Sequence, residues 1–194
     1  MVRTKKFDED AVLDKAVELF RRQGYQGTSP RELTEQLGIS RSSLYDTYGD
    51  KRSLFIKVLK RYKRNTAANL KNVQQQSVNA LQSIRKIFNM TVDECFIDIH
   101  PKGCFMVNSI IELAPRETEL INLVSECMKD HEDVFYQLLK QGVADRQINK
   151  IVHPRAAARY LVNCLYGISI SVKAGADRKL CNEIIKNTTA AMEP

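Results

Sequence analysis

No stretch of this chain approaches the ~20 consecutive apolar residues that a helical bilayer span requires, which excludes an integral helical membrane protein. Glycine is scarce, at 8 of 194 residues, and alternating runs of β-branched residues are few, so strands are not expected. Cys-x-x-Cys is absent. The five cysteines (Cys95, Cys104, Cys127, Cys164, Cys181) are odd in number and widely spaced, which argues against a disulfide framework and for free thiols in a reducing compartment. Cys95, His100, Cys104 and His131 match no zinc-ligand spacing, so no metal is expected. There is no nucleophile elbow, Gly-rich phosphate loop, metal-binding helix motif or paired-carboxylate element, so the chain reads as neither an enzyme nor a cofactor carrier. Behind the basic residues Arg3, Lys5 and Lys6 comes no apolar stretch, the pattern of a cytoplasmic protein without a signal peptide.

What is present is unevenly distributed. Residues 1–64 carry 15 Lys+Arg against 9 Asp+Glu, whereas residues 65–194 carry 15 against 14. The net charge of +7 is therefore concentrated in the first third, as in a segment that meets a polyanion, although a modest basic excess is also common on solvated surfaces.

The pattern predicts an all-α chain of about nine helices. Asp8 opens the first, with Val12, Ala16, Leu19 and Phe20 on one face, and Gly24 closes it. Ser29-Pro30 opens a short second helix that Gly38 stops after Leu37. Ser40 caps a third from Arg41 to about Tyr48, and Asp50 caps a long fourth from Lys51 to about Asn72. Leu54, Phe55, Val58, Leu59 and Tyr62 form the fourth helix's apolar stripe. A fifth runs to about Ile97, a short sixth from Cys104 to Leu113, and a seventh from about Glu117 to Lys140, ended by Gly142. Pro154 starts the eighth, to about Lys173, and Asp177 caps the ninth, ending near Met192. With no low-complexity linker, the fourth helix (51–73) must join an N-terminal unit, 1–50, rigidly to a C-terminal one, 74–194.

Residues 29–48 have the layout of a helix-turn-helix. Gly38 supplies the positive φ of the tight turn, Ile39 plugs the angle, and Leu33, Leu37, Leu44 and Tyr48 face inward. The opposite surface of the third helix then shows Arg41, Ser42, Ser43, Tyr45, Asp46 and Thr47, groups suited to base edges in a major groove. By helical phase Tyr45 points away from Leu44. Asp46 either accepts from a cytosine amino group or pairs with a nearby arginine. For Arg52, Lys57, Lys60, Arg61 and Lys63 a solvated helix face is the reading preferred.

The run from Gly27 through Thr28-Ser29-Pro30-Arg31-Glu32-Leu33 to Leu44-Tyr45-Asp46-Thr47-Tyr48-Gly49-Asp50-Lys51, with Ala16, Leu19-Phe20 and Gly24-Tyr25 upstream, resembles the signature of the TetR family of regulators. Thr34 and Tyr48 depart from it, standing where the family usually has alanine and phenylalanine. The resemblance implies a DNA-binding regulator: a homodimeric repressor whose recognition helices enter successive major grooves of a palindromic double-stranded operator, released by a small-molecule inducer. Arg31 joins the third-helix residues as a base or phosphate reader, and Lys51, at a helix N-terminus, would hold a phosphate.

It also implies a ligand pocket among helices five to eight and a dimer interface on helices eight and nine. The sixth helix is apolar on nearly all sides, so Phe96, Cys104, Phe105, Met106, Asn108, Ile110 and Tyr136 are expected at the pocket, Asn108 as polar anchor. The eighth helix is rich in small residues, and Ala157, Tyr160, Leu161, Leu165 and Ile168, with Ile184 on the ninth, are expected at the interface; such a helix equally suits an intramolecular core. Alternative readings are control by a protein partner, or by oxidation or electrophile modification of Cys104. That thiol sits at a helix N-terminus near Lys102 and His100, which favours the thiolate, or else it is a buried structural cysteine.

Overall fold

The computed structural model describes residues 7–97, 103–113, 117–150 and 153–193. Among them the chain forms nine α-helices and no strand: α1 (Glu9–Gln23), α2 (Pro30–Leu37), α3 (Arg41–Tyr48), α4 (Lys51–Gln75), α5 (Ala80–Cys95), α6 (Phe105–Leu113), α7 (Thr118–Ala144), α8 (Pro154–Lys173) and α9 (Arg178–Ala190). Local chemistry sets most starts. The Asp8 carboxylate accepts from the N–H groups of Asp10 and Ala11. Ser29 and Glu32 form a reciprocal capping box, with Glu32 N–H donating to Ser29 Oγ at 3.2 Å and Ser29 N–H to Glu32 Oε2 at 2.8 Å. Ser40, Asp50, Asn79 and Asp177 each take an orphan N–H of the helix that follows.

One expected end is displaced. α7 runs through Gly142 and stops at Ala144, and it is Arg146, at φ 59°, that takes the left-handed turn. Gly142 is there for close approach: a Cβ on it would lie 2.7 Å from Ala80 Cβ and 2.6 Å from Ile148 Cδ1. A helix-interior glycine normally gains about 1 kcal/mol when replaced by alanine. Overpacking of roughly 1–3 kcal/mol outweighs that gain here. Gly142→Ala is therefore expected to lower the urea midpoint; a raised midpoint would show that the α5–α7 contact yields freely.

The helices enclose two apolar cores. The first gathers α1 to α3 and the start of α4 (Phe20, Leu33, Leu44, Phe55, Leu59) with Phe105 and Met106 of α6 and Leu120 and Val124 of α7. The second joins the end of α4 to α5, α7, α8 and α9 through Leu70, Phe88, Phe135, Leu161 and Leu165. α4 and α7 run through both, and Cys104 touches both. The basic face of α4 is paired more than solvated: Arg52 bonds Glu117 (2.6 Å), Lys60 bonds Glu119 (3.0 Å) and Lys63 bonds Glu126 (2.7 Å), all on or beside α7. Arg61 bonds Asp14 of α1 at 2.6 Å. Arg52, Lys57 and Lys60 remain on the solvated face expected of them, whereas Arg61 and Lys63 are half-buried, and Lys57 alone of the five spends itself locally, on the Tyr48 ring and the Thr47 carbonyl.

Candidate nucleic-acid interface and internal cavity

α3 is an eight-residue helix with two faces of different character. Leu44 and Tyr48 are buried in the first core, while Arg41, Ser42 and Asp46 are exposed and Ser43, Tyr45 and Thr47 are half-buried. The φ of 68° at Gly38 turns the chain from α2 into α3, its N–H donating to the Thr34 carbonyl at 3.1 Å. At the head of α3 three hydroxyls cluster: Ser40 Oγ lies 3.0 Å from Ser42 Oγ and 2.9 Å from Ser43 Oγ. Tyr45 does not simply point away. Its ring leans on the first core, with the Arg41 guanidinium 5.6 Å from its centre. Arg31 is exposed and bound to Glu35 one turn on, at 2.7 Å. The Lys51 ammonium sits 4.3 Å over the Tyr25 ring, and burial lowers its pKa. Among the described residues Asp46 has no arginine partner, leaving its carboxylate facing outward.

The two departures from the family signature fit differently. Thr34 satisfies its hydroxyl on the Arg31 carbonyl at 2.7 Å. Tyr48 buries a hydroxyl that has no partner among the described residues. Removing such a group relieves its desolvation cost. Tyr48→Phe is accordingly expected to raise stability by about 1 kcal/mol, read as a higher midpoint in chemical denaturation; a fall would reveal a partner for that hydroxyl.

A cavity of about 330 Å³ opens between α4, α5 and α7, walled by Thr66, Asn69, Ile87, Asp93, Glu94 and His131. A narrow inner void of about 30 Å³ shares Thr66, Thr91, Glu94 and His131 with it and adds Cys104, Cys127 and Tyr166. Of the residues expected at a pocket, Cys104 reaches this void. Phe105 and Met106 turn the other way and fill the first core. Phe96 lies under the Arg178 guanidinium (4.9 Å) and Tyr136 under that of Arg155 (3.8 Å), each packed on the second core. Ile110 packs on the first core, and Asn108 lines a separate crevice of about 300 Å³ between α1 and α6. The residues missed, Thr66 and His131, carried a readable signal: each is a polar residue at a core position of an apolar stripe, between Tyr62 and Leu70 on α4 and between Cys127 and Phe135 on α7.

Cys104 directly precedes α6, and the N–H groups of Val107 and Met106 donate to its sulfur, but burial is the stronger influence and pushes the thiol up. The expected thiolate is therefore not favoured; Lys102 and His100 lie outside the described residues. Burial likewise raises Cys95 to about 11 and Cys127 to about 12.

The cavity wall is tied to α1. Arg21, buried at 7% exposure, places Nη1 3.3 Å from Glu94 Oε1. The Tyr62 hydroxyl donates to that same oxygen at 3.0 Å, and Arg21 Nε has no partner among the described residues. A second tether is the Glu112 carboxylate of α6, which accepts from the N–H groups of Tyr25 (2.9 Å) and Gln26 (2.6 Å) after α1.

On α8, Leu161, Leu165 and Ile168 are at most 1% exposed and spend their surface in the protomer's own second core, so they are not available to another chain. Ala157 and Ile184 are half-buried, and Tyr160 is 53% exposed. The outward stripe is instead Ala156, Tyr160, Asn163, Gly167 and Ile170, and on α9 Leu180 is exposed as well.

Residues 12–58 match the family model for bacterial regulatory proteins of the tetR family, and residues 80–187 that for the tetracyclin repressor-like C-terminal domain. The chain is 35% identical over 178 residues to the HTH-type transcriptional regulator YezE of Bacillus subtilis (strain 168), covering 91% of this chain and 92% of that protein. It is 31% identical over 191 residues to the HTH-type transcriptional repressor ComR of Escherichia coli (strain K12), covering 96% and 89%. Among solved structures, a cysteine mutant of the TetR family regulator CifR bound to 26-bp operator DNA superposes with a TM-score of 0.84 at 24% identity, over 97% of this chain and 99% of that one. Reduced Escherichia coli NemR superposes at 0.86 with 16% identity, over 95% and 97%.

Proposed function

The chain belongs to the TetR family of bacterial transcriptional regulators, and from that premise we propose that it is a cytoplasmic homodimeric repressor, released from a palindromic operator when a small molecule enters the α4–α5–α7 cavity. The observation that carries the reading is α3: one turn after a glycine hinge, a capped helix buries Leu44 and Tyr48 and turns Arg41, Ser42 and Asp46 outward. A helix of this width fits a major groove, where arginine reads guanine and hydroxyls read either strand. Arg31 and Lys51, at the starts of α2 and α4, are placed for phosphates. Both are engaged in the free protein, by Glu35 and the Tyr25 ring, and exchange those partners for phosphate on docking. The repressor sense is supported by similarity to ComR. Five free cysteines fit a reducing cytoplasm.

The test is selection of genomic fragments by the purified protein at physiological salt, followed by footprinting. A palindrome with half-sites about one or one and a half helical turns apart is expected, with binding that weakens steeply as salt rises. No enriched sequence would reject the reading.

The dimer is assigned to the outward α8 stripe and α9. Gly167 is its probe, because a Cβ there meets nothing within 4 Å in the protomer. Gly167→Arg is expected to leave folding intact and to give a monomer by light scattering; a dimer of unchanged mass would place the interface elsewhere.

A further inference from the structure

We propose that the cavity between α4, α5 and α7 takes an organic cation with N–H donors, an amine with an apolar body, and that its ammonium competes with Arg21 for Glu94. This rests on the reading above that the cavity holds the inducer.

Three features of the wall select that chemistry. The cavity and its inner void are lined by two carboxylates, Asp93 and Glu94, and by no lysine or arginine among the described residues. The counter-charges come from outside the lining, Arg178 to Asp93 at 2.6 Å and Arg21 to Glu94 at 3.3 Å. An anion entering would meet both carboxylates first.

The second feature is His131, buried at 6% exposure. Its Nδ1 lies 2.7 Å from the Cys127 carbonyl oxygen, which can only accept, so Nδ1 carries the proton. Burial holds the ring below its ordinary pKa and hence neutral at pH 7. Nε2 is then a lone-pair acceptor with no hydrogen-bond partner among the described residues, in a side chain that lines both spaces. A donor from the ligand satisfies it; an acceptor does not.

The third is the apolar share of the same wall. Ile87, Met90 and Ile97 face the opening and suit a hydrocarbon body, and about 330 Å³ lies within the range of small-molecule sites.

Glu94 gives the ligand its effect on α1. The carboxylate that lines the cavity is the one that holds Arg21 in place. When an ammonium takes it, the one carboxylate left to Arg21 among its ion pairs is Glu18 of its own helix, 3.6 Å away and more than half exposed. What else remains is neutral, a 3.4 Å bond from Nη2 to the Glu94 carbonyl oxygen and the face of the Tyr62 ring, and its Nε is already unpartnered among the described residues. A buried guanidinium without its carboxylate is unstable. Arg21 is then drawn outward toward Glu18, and α1 shifts against α4. Phe20, next to Arg21, packs edge-to-face on Phe55 in the core that seats α3, so the recognition helix moves with it.

The experiment uses the full-length protein and three probes of one shape: phenylbutylamine, phenylbutanol and phenylbutyrate. Calorimetry is expected to show the amine binding at least tenfold more tightly than either of the others. Glu94→Gln, which keeps the Tyr62 hydrogen bond, is expected to reduce amine affinity about tenfold, the usual scale for one charge-assisted contact. Asp93→Asn, at the exposed rim, is expected to reduce it a few-fold and serves if Glu94→Gln melts early. Amine is also expected to release the operator fragment found by genomic selection. Tightest binding by the alcohol or the carboxylate, no binding by any probe, or an amine affinity unchanged in both variants overturns the proposal. If an operator is enriched but no amine binds, the cation assignment falls and the repressor reading stands. If amine binding depends on Glu94 but no operator is enriched, the repressor reading falls and the cation site stands.

Discussion

Phe55→Ala is expected to cost about 3–5 kcal/mol of stability, and with it operator binding, although Phe55 faces no DNA. Its ring is 1% exposed and makes edge contacts with Phe20 (centroids 4.9 Å apart), Tyr25 (5.0 Å) and Phe105 (5.7 Å). Those rings come from α1, the turn after it and α6, so one side chain on α4 clamps the helix-turn-helix to the larger bundle. Alanine would forfeit the buried area and leave a cavity that three helices and a turn cannot all close around. Against a total stability of roughly 5–15 kcal/mol, such a loss removes a fifth or more. Urea denaturation followed by circular dichroism checks it. A change below about 1 kcal/mol would mean that the bundle re-closes around the gap, and the ring cluster would not be the clamp.

Arg41→Ala is expected to raise the operator Kd by about two orders of magnitude. The guanidinium is exposed at the first turn of α3 and leans over the Tyr45 ring at 5.6 Å, so the folded state loses little when it is removed. On DNA a bidentate contact to a base is worth about 1–3 kcal/mol. In the proposed symmetric dimer the loss is felt at both half-sites, which doubles the effect. The melting temperature and the dimer mass are expected to stay as in wild type. Lys51→Met provides the contrast: it should weaken all sequences alike and lower the salt slope by roughly 0.9 per lost phosphate contact. Equal behaviour of the two variants would move Arg41 from the base-reading group to the phosphate group. Loss of the dimer in Arg41→Ala would remove it from the DNA face altogether.

Much of the fold was legible because helix starts are local. Asp8, Ser29, Ser40, Asp50 and Asp177 cap the helices expected of them, since a cap depends on the side chain at one position and the N–H groups two or three residues on. The two faces of α3 were equally readable from Leu44 and Tyr48, because its apolar residues fall on one side only. α6 and α8 gave no such guidance. Both are apolar or small around most of their circumference, so periodicity cannot say which side meets the protomer's core. Phe105 and Met106 therefore fill the first core rather than a pocket, and Leu161, Leu165 and Ile168 face inward while Tyr160 faces out.

Local patterns in the sequence sufficed to establish that the described residues are helical, where eight of their nine helices begin, and that the N-terminal segment is a helix-turn-helix with Arg41, Ser42 and Asp46 outward. Tertiary structure alone decided that Gly142 is a contact and not a stop, that burial outweighs the helix N-terminus at Cys104, and that Arg21 and Glu94, 73 residues apart, meet at a cavity wall. The difference is one of range. Caps, turns and amphipathic stripes are settled within a few residues, whereas a cavity, a buried guanidinium with its carboxylate and a desolvated thiol exist only where elements distant in the chain exclude water together.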